Sequence, residues 1–83
     1  MASSDYRLEL TALALANWVQ LPTQTGRSAV DSALRRIARD PRGRGALAEA
    51  GRDEYRCRTE GILIRYAVDD QRRLVTVLRI RPI

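Results

Sequence analysis

The spacing of hydrophobic and polar residues changes period twice along this chain. From Tyr6 to Leu10 the two alternate, Tyr6-Arg7-Leu8-Glu9-Leu10. A period of two predicts a strand with Tyr6, Leu8 and Leu10 inward, because strand side chains point to opposite faces in turn. The period then lengthens. Thr11 is a good N-cap for a helix over 12–21, where Leu15, Trp18 and Val19 fall on one face with Ala14 and Leu21 at its edge. Trp18 reads as a packing anchor rather than a base-stacking platform, and Pro22 ends the helix. Residues 23–27 read as a polar connection. A second helix is expected over 28–39, opened by Ser28-x-x-Asp31, the spacing of a capping box. Val30, Ala33, Leu34 and Ile37 form its apolar stripe. Asp31, Ser32, Arg35 and Arg39 take the other side, with Asp31 and Arg35 spaced as an i,i+4 ion pair. Asp40-Pro41 stops this helix. Arg42-Gly43-Arg44-Gly45 follows as a flexible basic loop, and residues 46–50 read as one further helical turn whose Leu47 plugs the core.

The period returns to two over 55–59, 62–68 and 74–81, which predicts three strands. Glu60-Gly61 is a two-residue hairpin turn, and Asp69-Asp70-Gln71 marks a second turn. The two-residue turn sets Arg56 opposite Arg65. The third strand's register depends on the second loop. Three or five residues place Arg65 on the face of Val75, Val77, Arg79 and Arg81; four place it with Leu74, Thr76, Leu78 and Ile80. A slip of one residue exchanges the faces. The odd loop is expected, because it leaves Ile62, Ile64, Tyr66, Leu74, Thr76, Leu78 and Ile80 on one mostly apolar face. It gathers Arg56, Arg58, Arg65, Arg79 and Arg81 on the other. Together these readings give an α+β fold in one domain, 1–83. Its order is βααβββ, with a two-helix hairpin packed on one face of a small, mainly antiparallel sheet.

Composition sharpens this picture. All 15 basic residues are arginine, none is lysine or histidine, and the net charge is +5 with a pI near 10.6. Such a balance favours an anionic partner: RNA, DNA or an acidic protein. Guanidinium groups grip phosphate or carboxylate through two parallel hydrogen bonds, although a GC-rich coding sequence alone would also replace lysine by arginine. The single cysteine, Cys57, excludes an internal disulfide and reads as a packed thiol on the apolar face. One cysteine without histidine excludes the usual zinc sites, and nothing calls for a metal or a cofactor. No signal peptide or membrane span is visible, since the longest apolar run is 12–16, so a cytoplasmic protein that engages no membrane is expected.

Acid–base chemistry near neutral pH has few candidates here. Arginine holds its proton above pH ~12. The tyrosines, Cys57 and the carboxylates form no visible pair, triad or metal set. Glu54 and Glu60 flank the first basic strand, but a glutamate beside a turn is ordinarily just solvated. An arginine face binds phosphates and stabilises developing negative charge. RNA cleavage by its own 2′-hydroxyl needs that stabilisation and proceeds in part by orientation of the backbone.

The run from Asp53 to Asp70 contains Tyr55-Arg56-Cys57-Arg58, the Glu60-Gly61 turn and Arg65-Tyr66. With Leu74-Val75-Thr76-Val77-Leu78-Arg79-Ile80 after it and Ile37-Ala38-Arg39-Asp40-Pro41-Arg42 before it, the chain from Tyr6 onward resembles the RelE/ParE superfamily of bacterial toxins. The resemblance implies a compact toxin of a type II toxin–antitoxin pair, neutralised by an acidic or amphipathic antitoxin segment wrapped over it. Arg56 and Arg58 fall where RelE-like ribonucleases place the basic pair that contacts mRNA. The next basic position falls at Leu63, with Arg65 two residues on and on the same face. RelE-like nucleases continue past the last strand with another basic residue and a tyrosine. Here the sequence reads Arg81-Pro82-Ile83, which leaves Arg79 and Arg81 as partial substitutes. The candidates for catalysis are therefore Arg56, Arg58, Arg65 and Arg81. Those for nucleic-acid contact are Arg42, Arg44, Arg56, Arg58, Arg65, Arg79 and Arg81. Three functions stay open: a RelE-like toxin that cuts or blocks mRNA in the ribosome, a ParE-like poison of DNA gyrase, and a non-enzymatic member held with its antitoxin as a repressor.

Overall fold

The computed structural model describes residues 5–43, 47–48 and 53–83. Its elements run β1 (Arg7–Leu10), α1 (Ala12–Val19), α2 (Gln24–Arg39), β2 (Leu47–Ala48), β3 (Glu54–Thr59), β4 (Ile62–Asp69) and β5 (Leu74–Pro82). The sheet order is β1-β5-β4-β3-β2. Every neighbouring pair is antiparallel except β1 and β5, which are parallel. The first strand thus joins the edge made by the last, and α1 and α2 carry the chain from β1 to β2 at the opposite edge of the sheet. The α+β arrangement and the three C-terminal strands agree with the sequence pattern. The extra helical turn does not: Leu47–Ala48 is a short strand paired with Tyr55 and Arg56. The Leu47 side chain, Met1 to Ser4, Arg44 and Gly45 lie outside the described residues.

Helix α2 supplies the core. Val30, Ala33, Leu34 and Ile37 are all buried, as their stripe predicts, against Cys57, Ile62, Ile64, Tyr66, Val68, Val75, Val77 and Ile80. The helix begins earlier than Ser28. Thr23 is its N-cap, with Oγ1 accepting from the Gly26 N–H at 2.9 Å, so residues 24–27 are helix rather than connection. Gly26 lies against the start of β4: a Cβ there would stand 3.3 Å from Ile62 Cδ1.

Helix α1 has turned away from the face that its apolar pattern predicts. Leu13, Leu15 and Val19 are more than half exposed, while Ala14 is fully buried and Trp18 packs against the core. The reason lies at the sheet edge. β1 stops opposite Val77, and β5 continues past it. Unpaired backbone groups on that edge need partners. The Thr11 hydroxyl donates to the Leu78 carbonyl at 3.2 Å, and Asn17 Oδ1 accepts the Ile80 N–H at 3.1 Å. Meeting these polar demands turns the Asn17 side inward. Trp18 Nε1 then donates to Asp31 Oδ1 at 3.0 Å, so Asp31 serves the helix–helix contact in place of the expected pair with Arg35. No helix among the described residues is long and apolar enough to cross a membrane.

The loop between β4 and β5 holds four residues, 70–73, not the odd number expected. Val75 and Val77 are consequently inward and fully buried, and Thr76 and Leu78 are only partly covered. A bulge corrects the register further along. Tyr66 pairs with Val77, but Arg65 pairs with Arg79, which leaves Leu78 as the extra residue. Past the bulge Ile80 points inward, as expected, and Arg79 and Arg81 point outward.

Candidate nucleic-acid interface

The Glu60-Gly61 turn has positive φ at both residues, 48° and 72°. These are the angles of the two-residue hairpin turn that matches strand twist. It fixes Arg56 opposite Arg65 and Arg58 opposite Leu63. The bulge then sets Arg65 opposite Arg79 and Leu63 opposite Arg81. The result is a row Arg56–Arg65–Arg79 across three strands, and beside it a row Arg58–Leu63–Arg81. Neighbouring strands lie about 4.8 Å apart, so the guanidinium groups reach a common patch. Arg56, Arg58, Arg79 and Arg81 are exposed and Arg65 is half-buried. The hydrophobic core and α2 occupy the reverse face.

Glu54, on the same face of β3, approaches Arg65 with Oε1 3.9 Å from Nη2. The guanidinium groups of Arg58, Arg79 and Arg81 make no ion pair or hydrogen bond with another described residue. Like charges directly opposite each other destabilise a sheet, and a bridging anion reverses that effect. The face can bind phosphate, orient a backbone and stabilise an oxyanion.

Arg42 stands apart from this patch. Its Nε donates to the Tyr55 hydroxyl at 2.8 Å, Nη1 to Asp70 at 3.0 Å and Nη2 to Asp53 at 2.5 Å. Tyr55 stacks on Tyr66 with ring centroids 5.8 Å apart, and the Tyr66 hydroxyl donates to the Pro41 carbonyl at 2.6 Å. The Tyr6 hydroxyl donates to Asp70 at 2.5 Å. Arg42 therefore ties the end of α2 to the foot of β3 and to the β4–β5 loop. The bonds to Asp70 and Asp53 raise its pKa, and those from Arg42 and Tyr6 lower that of Asp70. Burial pushes the Tyr66 hydroxyl well above its ordinary value. Of the seven arginines singled out from sequence, the structure brings five together, commits Arg42 to two carboxylates and does not describe Arg44. Leu78, expected on the apolar face, is instead the bulge residue and only partly covered, and Val77, expected outward, is buried.

The model of the ParE toxin of the type II toxin–antitoxin system parDE matches residues 8–82. The chain belongs to the ParE toxin family, within the RelE/ParE superfamily. The toxin's fold is that of the E. coli RelBE toxin–antitoxin complex, with TM-score 0.81 at 25% identity over 94% of this chain and 96% of that one. The isolated E. coli RelE toxin matches with TM-score 0.83 at 24% identity, over 93% of this chain and 83% of that one. A YoeB/ParE toxin from Agrobacterium tumefaciens matches with TM-score 0.74 at 18% identity, over 93% and 98%. Among curated proteins none matches the toxin in sequence.

Proposed function

We propose that this toxin arrests translation by binding mRNA at the ribosome through the Arg56–Arg65–Arg79 row, flanked by Arg58 and Arg81. The observation that carries the reading is the convergence of these five side chains on the face that the helices leave open. Guanidinium groups spaced by one strand suit successive phosphates of an extended single strand. Arg56, Arg58, Arg65 and Arg81 orient the backbone and stabilise charge on the phosphate. Guanidinium groups donate hydrogen bonds and accept none, so binding dominates and cleavage relies on in-line orientation of the 2′-hydroxyl. A cognate antitoxin neutralises the toxin. Support comes from the solved complexes of its fold neighbours, including the RelBE2 complex of Mycobacterium tuberculosis and an archaeal RelE–RelB complex.

The ParE family match favours a second reading, inhibition of DNA gyrase. The Arg56→Ala/Arg58→Ala double variant separates the two when induced in cells. Loss of toxicity together with loss of RNA binding supports the ribosomal reading. Retained toxicity with an induced DNA-damage response refutes it in favour of gyrase. Absence of toxicity from the unaltered toxin in every host refutes both and leaves a repressor acting with its antitoxin.

A further inference from the structure

Strand β1 is one edge of the sheet. The Arg7 N–H donates to the Arg73 carbonyl at 2.7 Å and the Thr11 N–H to the Val77 carbonyl at 3.0 Å. In a parallel ladder that phase turns the backbone groups of residues 7, 9 and 11 toward β5 and those of Leu8 and Leu10 off the edge. The Tyr6 N–H is taken by the Ala38 carbonyl at 2.7 Å, which closes the edge at its start. No described residue hydrogen-bonds the outward backbone groups of Leu8 and Leu10. On the helical side of the edge lies a groove of about 280 Å³ between β1 and α2, lined by Leu8, Leu34 and Ala38 together with Asp31 and Arg35. On the other side Arg7 and Glu9 are exposed and approach each other only to 3.8 Å. Free strand edges are ordinarily blunted by charge. Here the two charges have opposite sign and stand two residues apart, so the strand can answer its own copy.

We infer that β1 is a self-association edge, which pairs antiparallel with β1 of a second copy about a two-fold axis at Leu8. The backbone phase and the charges select this register. Outward-facing groups must oppose outward-facing groups, so the axis falls on a residue rather than between two. An axis at Arg7 or at Glu9 sets that charge against its own copy, which destabilises a sheet. An axis at Leu10 runs Leu8 against Ala12, where α1 begins. An axis at Leu8 sets Arg7 opposite the partner's Glu9, and Glu9 opposite the partner's Arg7. These are pairs with no hydrogen bond between them, whose Cα atoms stand about 4.5 Å apart and whose side chains are closest. Leu8 exchanges backbone bonds with the partner's Leu8, and the two side chains meet on the helical face at the mouth of the grooves. A strand of a single charge would satisfy one of Arg7 and Glu9 and oppose the other. Arg7, Glu9, Asp31 and Arg35 sum to zero, so two copies at +5 each meet along a locally neutral edge. The five-arginine patch stays uncovered, because β1 reaches only to Val77 along β5. Both patches then lie on one face of a continuous sheet. The pairing is short and covers less than the ~1,200 Å² of a standard interface, so the dimer is weak and forms at about 0.1 mM and above.

The test follows the full chain from micromolar to millimolar concentration by sedimentation velocity and by amide hydrogen exchange. The mass should rise toward that of a dimer. The Leu8 and Leu10 amides should gain protection as it does, while the Glu9 amide, turned toward β5, is protected throughout. Arg7→Glu and Glu9→Arg, both at exposed positions, each set like charges opposite one another in both pairs and should weaken the dimer at least about tenfold. Circular dichroism checks that each variant is folded. The exchanged variant Arg7→Glu/Glu9→Arg restores both pairs and should dimerise as the parent does. An equimolar mixture of the two single variants should form a heterodimer of the same strength. Arg56→Ala/Arg58→Ala should change nothing. A monomer at millimolar concentration, a dimer that survives either single variant, or failure of the exchanged variant and of the mixture to restore it would overturn the inference. The outcome is independent of the target that the arginine face engages, which the toxicity and RNA-binding measurements decide separately.

Discussion

If the arginine face binds RNA through phosphates, salt should weaken binding by an amount that counts its arginines. Each phosphate contact on a single strand contributes about −0.7 to the slope of log K against log salt. Five engaged arginines give a slope near −3.5, or about a 130-fold loss of affinity between 50 and 200 mM salt. Arg56→Ala/Arg58→Ala removes one end of each row and should bring the slope to about −2.1, a loss of about 20-fold over the same range. Arg42→Ala removes a positive charge as well, but that guanidinium is bound to Asp53 and Asp70 away from the patch. Its slope should stay at the parent value. Fluorescence anisotropy with a labelled twelve-nucleotide single-stranded RNA across this salt range measures all three. Net charge alone predicts comparable changes per charge for any arginine removed, so the Arg42 variant separates local geometry from bulk charge. A slope that falls as much in Arg42→Ala as in either single variant, Arg56→Ala or Arg58→Ala, would refute the patch as a discrete site.

Three further expectations follow from particular contacts. Tyr66→Phe leaves the Pro41 carbonyl without its buried donor and should cost about 1–2 kcal/mol in urea unfolding, with RNA affinity unchanged. Asp70 has a folded pKa below 3.8, so its contribution to stability is full above that value and fades as the pH falls through the lower one. The acid limb of a stability–pH curve should therefore flatten in Arg42→Ala, which removes the main cause of the shift; an unchanged limb would place the coupling elsewhere. Deletion of Leu78 leaves Val77 and Arg79 consecutive, so Arg79 still falls opposite Arg65 in an unbroken ladder. RNA affinity should stay within about threefold, while loss of the bond from Thr11 lowers stability by about 1 kcal/mol.

The strands were legible because alternation is local and the Glu60-Gly61 turn has only one economical geometry. The α2 stripe was legible because four apolar residues at helical spacing leave little choice of face. Helix α1 was misread for an identifiable reason. Leu15 and Val19 outweigh Ala14 on any hydrophobic count, yet the helix answers to the Ile80 N–H, and Asn17 is the residue that can reach it. That demand arises only once β1 is known to end short of β5. The start of α2 was missed because Thr23 and Ser28 are both acceptable caps, and Gly26 against Ile62 decides between them through a tertiary contact. Arg42 looked like a phosphate ligand in a basic loop. Asp53 and Asp70, distant in sequence, claim it instead.

The arginine patch was reached by a partly wrong route, and the correction shows what holds it in place. An even loop should have turned Arg79 and Arg81 into the core. The bulge at Leu78 prevents this by letting Val77 and Ile80, both essentially buried, face inward together. Removing the bulge by sliding the strand would exchange Ile80 for Arg79 in the core. That loses about 2–3 kcal/mol of apolar burial and adds the larger penalty of an unpaired buried cation. Repulsion between arginines facing each other across strands is worth at most about 1 kcal/mol per pair and is screened by salt. The core term is the larger. The cationic face is therefore held by Val77 and Ile80 on the opposite side of the sheet, and it stays assembled when no anion is bound.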